Sequence, residues 1–315
     1  MVFNAFVETF IFALYFRLIM SPKEAYLKAG KIHAEICKKA RDIVKPGAKL
    51  LDVTKQIEAW IAEYPEVSLA FPVNLQINEK VHYTSPPNDE TVFKDDDLVK
   101  VDIGIHVEGY IADGAFTVTF DPEFQDMVDF TEETLMKSIT GLKPGMPLSE
   151  IGRRLDESVN NSEYNIVRNL MGHQLDQWDL HSRKSVFVYE NKENKNKMEP
   201  GDAFAIEIFI TDGKGWIRAS STSVIFSLKK QTKPVRDAKV KKLLKEINDK
   251  RKHFPFGERY VVEHLGYSKL DFFNARRTGN LQEYAILVEK PGSRVAQFEH
   301  VIYVDEDEVI ITTKQ

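Results

Sequence analysis

Apolar side chains recur at helical spacing through residues 21–45, at Ala25, Leu27, Ala29, Ile32, Ile36, Ala40, Ile43 and Val44. That spacing predicts one amphipathic helix. Ser21 is a good cap, Pro22 suits the first helical position, and Lys45-Pro46-Gly47 ends the run. A second helix is predicted over about Leu51–Glu63, then an irregular stretch over Phe71–Asn78. Alternation follows. Leu98–Val107 and Tyr110–Phe120 read as two strands of a hairpin with the two-residue loop Glu108-Gly109. A second round predicts helices over about Glu123–Leu142 and Leu148–Ser158, with Lys143-Pro144-Gly145 between them. Strands are expected around Asn169–His173 and Ala203–Ile210, a polar loop over Glu190–Met198, and a closing hairpin of Val295–Val304 and Val309–Thr313. The order of helix, Lys-Pro-Gly, helix and strands thus occurs twice. It hints at two related halves, though three residues can coincide by chance.

Two segments depart from this pattern. Val2–Ile19 is rich in aromatic and aliphatic residues, but Asn4, Glu8 and Arg17 interrupt it as a membrane span, and no early Lys or Arg makes it a signal peptide. With a helix start directly after Met20, residues 1–19 read as a doubtful extension before the natural start. A short membrane-surface anchor is the rival reading. Residues 229–252 carry eleven Lys or Arg against three acids, with Val240, Leu243, Leu244 and Ile247 on one helical face. That is a solvated amphipathic helix in the plainer reading, and an electrostatic contact with ribosomal RNA in the sharper one.

Composition narrows the class. At 315 residues, 43% hydrophobic and 29% charged, the chain is ordinary for a globular protein. A net charge of −5 argues against wholesale nucleic-acid binding. The single cysteine, Cys37, allows no intrachain disulfide and no zinc–thiolate cluster, which fits a reducing cytoplasm.

The candidate chemistry comes from acids in apolar strands. If Glu108-Gly109 is the loop, Val107 faces Tyr110 and Asp102 faces Ala115. Asp102 and Asp113 are then diagonal neighbours on one face, about 7–8 Å apart at the backbone. Two converging carboxylates repel unless a cation or proton intervenes. On a wet face they would simply be solvated. Glu207 lies inside Ala203–Ile210 and Glu299 inside Val295–Ile302, however, and His173 follows Gly172. Four strand acids and a histidine point to one shared oxygen-rich site, whose charge two divalent ions would neutralise. Such ligands suit manganese, iron or cobalt, with zinc also possible in principle.

The words Val101-Asp102-Ile103-Gly104, Ile111-Ala112-Asp113, Gly172-His173, Ile206-Glu207 and Ala296-Gln297-Phe298-Glu299-His300 occur here in order. From about Met20 to the C-terminus the chain resembles the type 2 methionine aminopeptidases of the pita-bread fold. Prolidases and aminopeptidase P share the five ligand types. Ala70–Asn74, His82-Tyr83-Thr84, Leu180-His181 and the long, largely helical stretch at about 228–280 resemble the type 2 methionine enzyme more closely.

The resemblance implies an α+β fold: a curved antiparallel sheet backed by helices in two pseudo-symmetric halves, forming a catalytic domain over 20–315 with an insertion at about 228–280. It implies two divalent ions (Mn, Fe, Co or Zn), with Asp102 on one, Asp113 and Glu299 bridging, and His173 and Glu207 on the other. Glu207 would also move a proton. His82 and His181 would touch the scissile amide, and Phe71, Phe209 and Tyr284 would surround the methionine side chain. The substrates would be N-termini of nascent polypeptides with a small second residue, in the cytoplasm, and the enzyme a monomer. Two departures stand out. Ile208 replaces the usual proline after the glutamate, and the interval from Phe71 to His82 is one residue short. Proliferation-associated relatives, which share the fold but have lost ligands, are binding proteins; this chain keeps all five ligands.

Overall fold

The computed structural model describes residues 20–314; the expectation for residues 1–19 lies outside them. Helix α1 (Pro22–Ile43) opens with a capping box, in which Ser21 and Glu24 satisfy each other's backbone N–H groups. Helix α2 (Leu50–Ala62) follows, then short strands β1 (Val67–Leu69), β2 (Asn74–Ile77) and β3 (Lys80–Val81). Strands β4 (Leu98–Val107) and β5 (Tyr110–Thr119) form the expected hairpin, with Val107 opposite Tyr110 and Asp102 opposite Ala115. Its loop residues Glu108 and Gly109 have φ of 51° and 89°, as a two-residue turn between twisted strands requires.

The second round comprises α3 (Gln125–Ile139), α4 (Ser149–Val159), β6 (Asn165–Ile166), β7 (Gly172–Leu175), β8 (Ser185–Val186) and β9 (Ala203–Thr211). Next come β10 (Arg218–Leu228), α5 (Ala238–Arg251), β11 (Phe256–Gly257), α6 (Lys269–Arg277) and β12 (Leu281–Val288), and finally β13 (Val295–Val304) and β14 (Val309–Ile311). The main sheet runs β1-β4-β5-β13-β9-β7-β8. A smaller sheet, β11-β10-β12-β3, joins the inserted segment to the strand just before His82.

The repeated Lys-Pro-Gly is structural. Gly47 N–H donates to Phe93 O at 2.8 Å, and Gly145 N–H to Met198 O at 2.7 Å. Phe93 N–H returns to Ala48 O, as Met198 N–H does to Met146 O. Both glycines hold left-handed φ, 81° and 82°. Asp102 and Glu207 each stand nine residues beyond these anchors (93 to 102, 198 to 207), so the two halves place an acid at equivalent points of β4 and β9.

Each central strand has two different faces. Val101, Ile103, Ile105, Phe204, Ile206, Ile208, Phe298 and Ile302 join the main core beneath the helices. The alternate residues, among them Asp102, Asp113, Glu207 and Glu299, face away from it. Ile208 is fully buried in that core.

Some expectations need correction. Phe71–Asn78 is not wholly irregular: Asn74–Ile77 pairs with β4. Its polar Asn74 and Gln76 are buried, so the strand lacks the usual signature. Asn169–Met171 is not strand, because the Asn169 side chain takes both backbone groups of Ile217 and β7 begins at Gly172. In the basic segment, helix begins only at Ala238, where Asp237 caps Lys239 and Val240. Strands β10 and β12, unforeseen in the sequence, bracket the helical part. Val240, Leu243, Leu244 and Ile247 pack with Phe226, Phe256 and Phe272 into a second core, and Lys241, Lys242 and Lys245 are exposed. Arg251 instead turns inward and donates to the carbonyls of Leu69, Ala70 and Pro255. No helix among the described residues is long and apolar enough to cross a membrane.

Candidate metal centre

Strand register builds the site. Asp102 faces Ala115, Ala115 faces Glu299 and Glu299 faces Glu207, so one row across β4, β5, β13 and β9 carries three carboxylates. The next row on the same face holds Gly104, Asp113, Val301, Ala205 and His173. Gly104 carries no side chain because the Phe71 ring occupies the place a Cβ would take. Ligand atoms of Asp113, His173 and Glu299 lie within 4.8 Å of one another. Asp102 is tied to the group through Gln297, whose Nε2 lies 3.3 Å from Asp102 Oδ2 and 3.4 Å from Glu299 Oε2.

Burial dominates the electrostatics. It pushes Asp102 up to about 7. Glu207 rises to about 8, from burial and then the charge of Asp102. Asp113 and Glu299 move well above the carboxylate range, through burial first and neighbouring acids second. His173 falls well below its ordinary value, through burial and then His181. Asp102 Oδ1, Asp113 Oδ1 and His173 Nδ1 are buried without a hydrogen-bond partner. Buried polar atoms are rarely left so. Four acids and an imidazole with unused lone pairs fit divalent cations well.

The two other histidines sit at this face. The ring of His181 is 4.4 Å from that of His173 between centroids. His82 has its pKa lowered to about 4 by burial and by His181, so its imidazole is neutral at pH 7. Its backbone is left-handed, φ 59°, with the N–H donated to Gln76 Oε1 at 3.0 Å. The expected aromatic residues do not form one cluster. Phe71 fills the space above Gly104 and packs with Leu180, Ala205 and Val301 on one flank of the acids. Phe209 packs with Val81, Ile217 and Val295 on the other. Tyr284 lies in the smaller sheet opposite Ile225, its hydroxyl 3.0 Å from Ser227 Oγ. Gln76 and Gln297 were missed from sequence. Gln297 had a signal, standing on the same strand face as Glu299; Gln76 had none.

The model of metallopeptidase family M24 matches residues 24–306. The methionine aminopeptidase of Methanothermobacter thermautotrophicus is 36% identical over 300 residues, covering 92% of this chain and 98% of that protein. Among solved structures, a thermophilic Arx1 superposes with a TM-score of 0.76 at 17% identity, covering 91% of this chain and 89% of its own. The methionine aminopeptidase of Thermotoga maritima gives a TM-score of 0.68 at 23% identity, covering 94% and 99%. These two bear on the fold, which is the pita-bread arrangement. With five potential ligands on one sheet face and a family match over most of its length, the chain belongs to metallopeptidase family M24, whose members use divalent metal.

Proposed function

We propose that this protein is a methionyl aminopeptidase, hydrolysing the peptide bond after an N-terminal methionine when the second residue is small. The observation that carries the reading is the two-row array of Asp102, Asp113, His173, Glu207 and Glu299 on one sheet face, in a chain 36% identical to a protein named for that activity. Residues 20–315 form the catalytic domain, with the type 2 insertion at about 228–280.

Asp102 would hold one divalent ion, His173 and Glu207 would hold a second, and Asp113 and Glu299 would contribute to both. Manganese, iron, cobalt and zinc all suit this donor set. When bound, such ions supply Lewis acidity and a water of lowered pKa. The rest falls to the chain's own groups. Glu207 also takes and returns a proton during the reaction. Neutral His82 and His181 hydrogen-bond the scissile amide and the oxygen that gains charge. By crowding the second residue they select small ones. Phe71, Phe209 and Tyr284 contribute apolar surface for the methionine side chain.

The substrates are nascent polypeptide N-termini in the cytoplasm, met by a monomer. Exposed Lys241, Lys242 and Lys245 offer the basic segment 229–252 to the ribosome. The deciding experiment compares Met-Ala-Ser, Met-Leu-Ser and Ala-Pro peptides with the metal-loaded protein. Met-Ala-Ser is cleaved fast and the others poorly. A preference for Xaa-Pro would move the protein to the prolidase branch, and metal binding with no cleavage would leave a binding protein.

A further inference from the structure

Between β2 and Thr84 two non-glycine residues hold positive φ, Asn78 at 54° and His82 at 59°. Side chains occupy that region only where the surroundings hold them. Asn78 is held several times over. Its Oδ1 accepts from Leu98 N–H at 2.9 Å, its Nδ2 donates to Asp97 at 2.9 Å, and its carbonyl accepts from Lys100 Nζ at 2.7 Å. His82 has one such support, the 3.0 Å bond from its N–H to Gln76 Oε1.

Gln76 is fully buried on the metal face, directly across the ladder from Lys100 and two residues from Asn74, which faces Asp102. A backbone N–H needs an acceptor, so the amide oxygen must face His82 and the amide nitrogen must face the acids. Nε2 lies 3.4 Å from Asp102 Oδ2 and 3.5 Å from Gln297 Oε1. One side chain that ligates nothing therefore touches both the His82 backbone and a carboxylate of the ligand set.

We infer that Gln76 is a positioning residue: it fixes the His82 backbone, and so the His82 ring, relative to Asp102 and the metal ligands. This rests on the proposed use of His82. Asparagine has the same amide but reaches about 1.5 Å less far, one carbon–carbon bond. Glutamate keeps an acceptor for His82 N–H while removing the donor to Asp102.

The test uses the full chain with Gln76→Met, Gln76→Glu and His82→Ala, singly and with Gln76→Met combined with His82→Ala. Exchange of the His82 amide in the metal-free protein, followed by NMR, reads the contact without any turnover. Gln76→Met should speed that exchange on the order of tenfold, and Gln76→Glu should restore slow exchange. With manganese bound in normal amount, Gln76→Met should lower kcat on Met-Ala-Ser by about tenfold to a hundredfold. In the His82→Ala background it should add less than about twofold, since coupled residues are not additive. If Gln76→Met does not fold, Gln76→Asn takes its place with the same expectations. Unchanged His82 exchange, or an equal kcat loss in both backgrounds, overturns the inference. Full turnover by His82→Ala would instead sink the reading of the site, and the catalytic half of this inference with it.

Discussion

Stripped of divalent ions, the protein should lose stability as pH rises from about 6.5 to 8. Unfolded Asp and Glu give up their protons near pH 4. In the fold, burial raises Asp102 to about 7 and Glu207 to about 8, and Asp113 and Glu299 go well above their ordinary values. Between those limits the folded state keeps protons that the unfolded state has lost, so this contribution falls as pH climbs through the folded values. Buried histidines act in the opposite sense. His33, His82, His106 and His300 are lowered to about 4, so their contribution grows between about pH 4 and 6.5 and is complete above it. Lys100, lowered to about 7 by burial, adds stability as pH rises beyond that value. The window from 6.5 to 8 therefore belongs mainly to the acids. About two extra protons held across it correspond to roughly 4 kcal/mol. That is a large share of a typical 5–15 kcal/mol of stability, and about 8 °C in Tm. Thermal unfolding by circular dichroism, in EDTA and in excess manganese at matched ionic strength, measures it. Groups remote from the site cancel in the difference between the two curves. Proton competition for the ligands acts in the same direction. The gap in Tm should widen by about 8 °C across the window; a constant gap, or a stripped protein that gains stability, would refute the buried-acid argument.

His173→Ala removes the one nitrogen donor of the proposed set. It should cut turnover and metal content by about a hundredfold or more while moving the stripped protein's Tm by only a few degrees, about 1 kcal/mol; normal metal content would count against the ligand role. Arg251→Met strands the carbonyls of Leu69, Ala70 and Pro255. A loss of about 3 kcal/mol is expected in urea unfolding, and a loss under about 0.5 kcal/mol would show that the insertion is held elsewhere. Changing Lys241, Lys242 and Lys245 to glutamate should leave small-peptide hydrolysis intact and weaken ribosome co-sedimentation, more so at low salt. Unchanged co-sedimentation would reduce this face to a solvated helix.

What the sequence made legible follows from which face each residue uses. Asp102, Asp113, Glu207 and Glu299 stand out because an acid in an apolar strand contradicts its neighbours, and the two-residue turn at Glu108-Gly109 fixed the register that pairs them. The Lys-Pro-Gly repeat was a weak signal in three letters, yet it marks the same hydrogen-bonded corner in both halves. Strands β10 and β12 were hidden, because half-buried Ser220, exposed Ser221 and Thr222 and register shifts near Ser223 break the alternation that would announce them. Gln76, Lys100 and Arg251 were invisible for a different reason. In sequence each is an ordinary surface residue. What distinguishes them is burial against carbonyls, a carboxylate or a strained backbone, and that depends on strands brought together from distant parts of the chain. A ligand declares itself by its misfit with adjacent residues. A group proposed to aim a catalytic side chain declares itself only through a partner far away, as Gln76 would through Asp102, so it is the part of such a site that sequence reading is least able to supply.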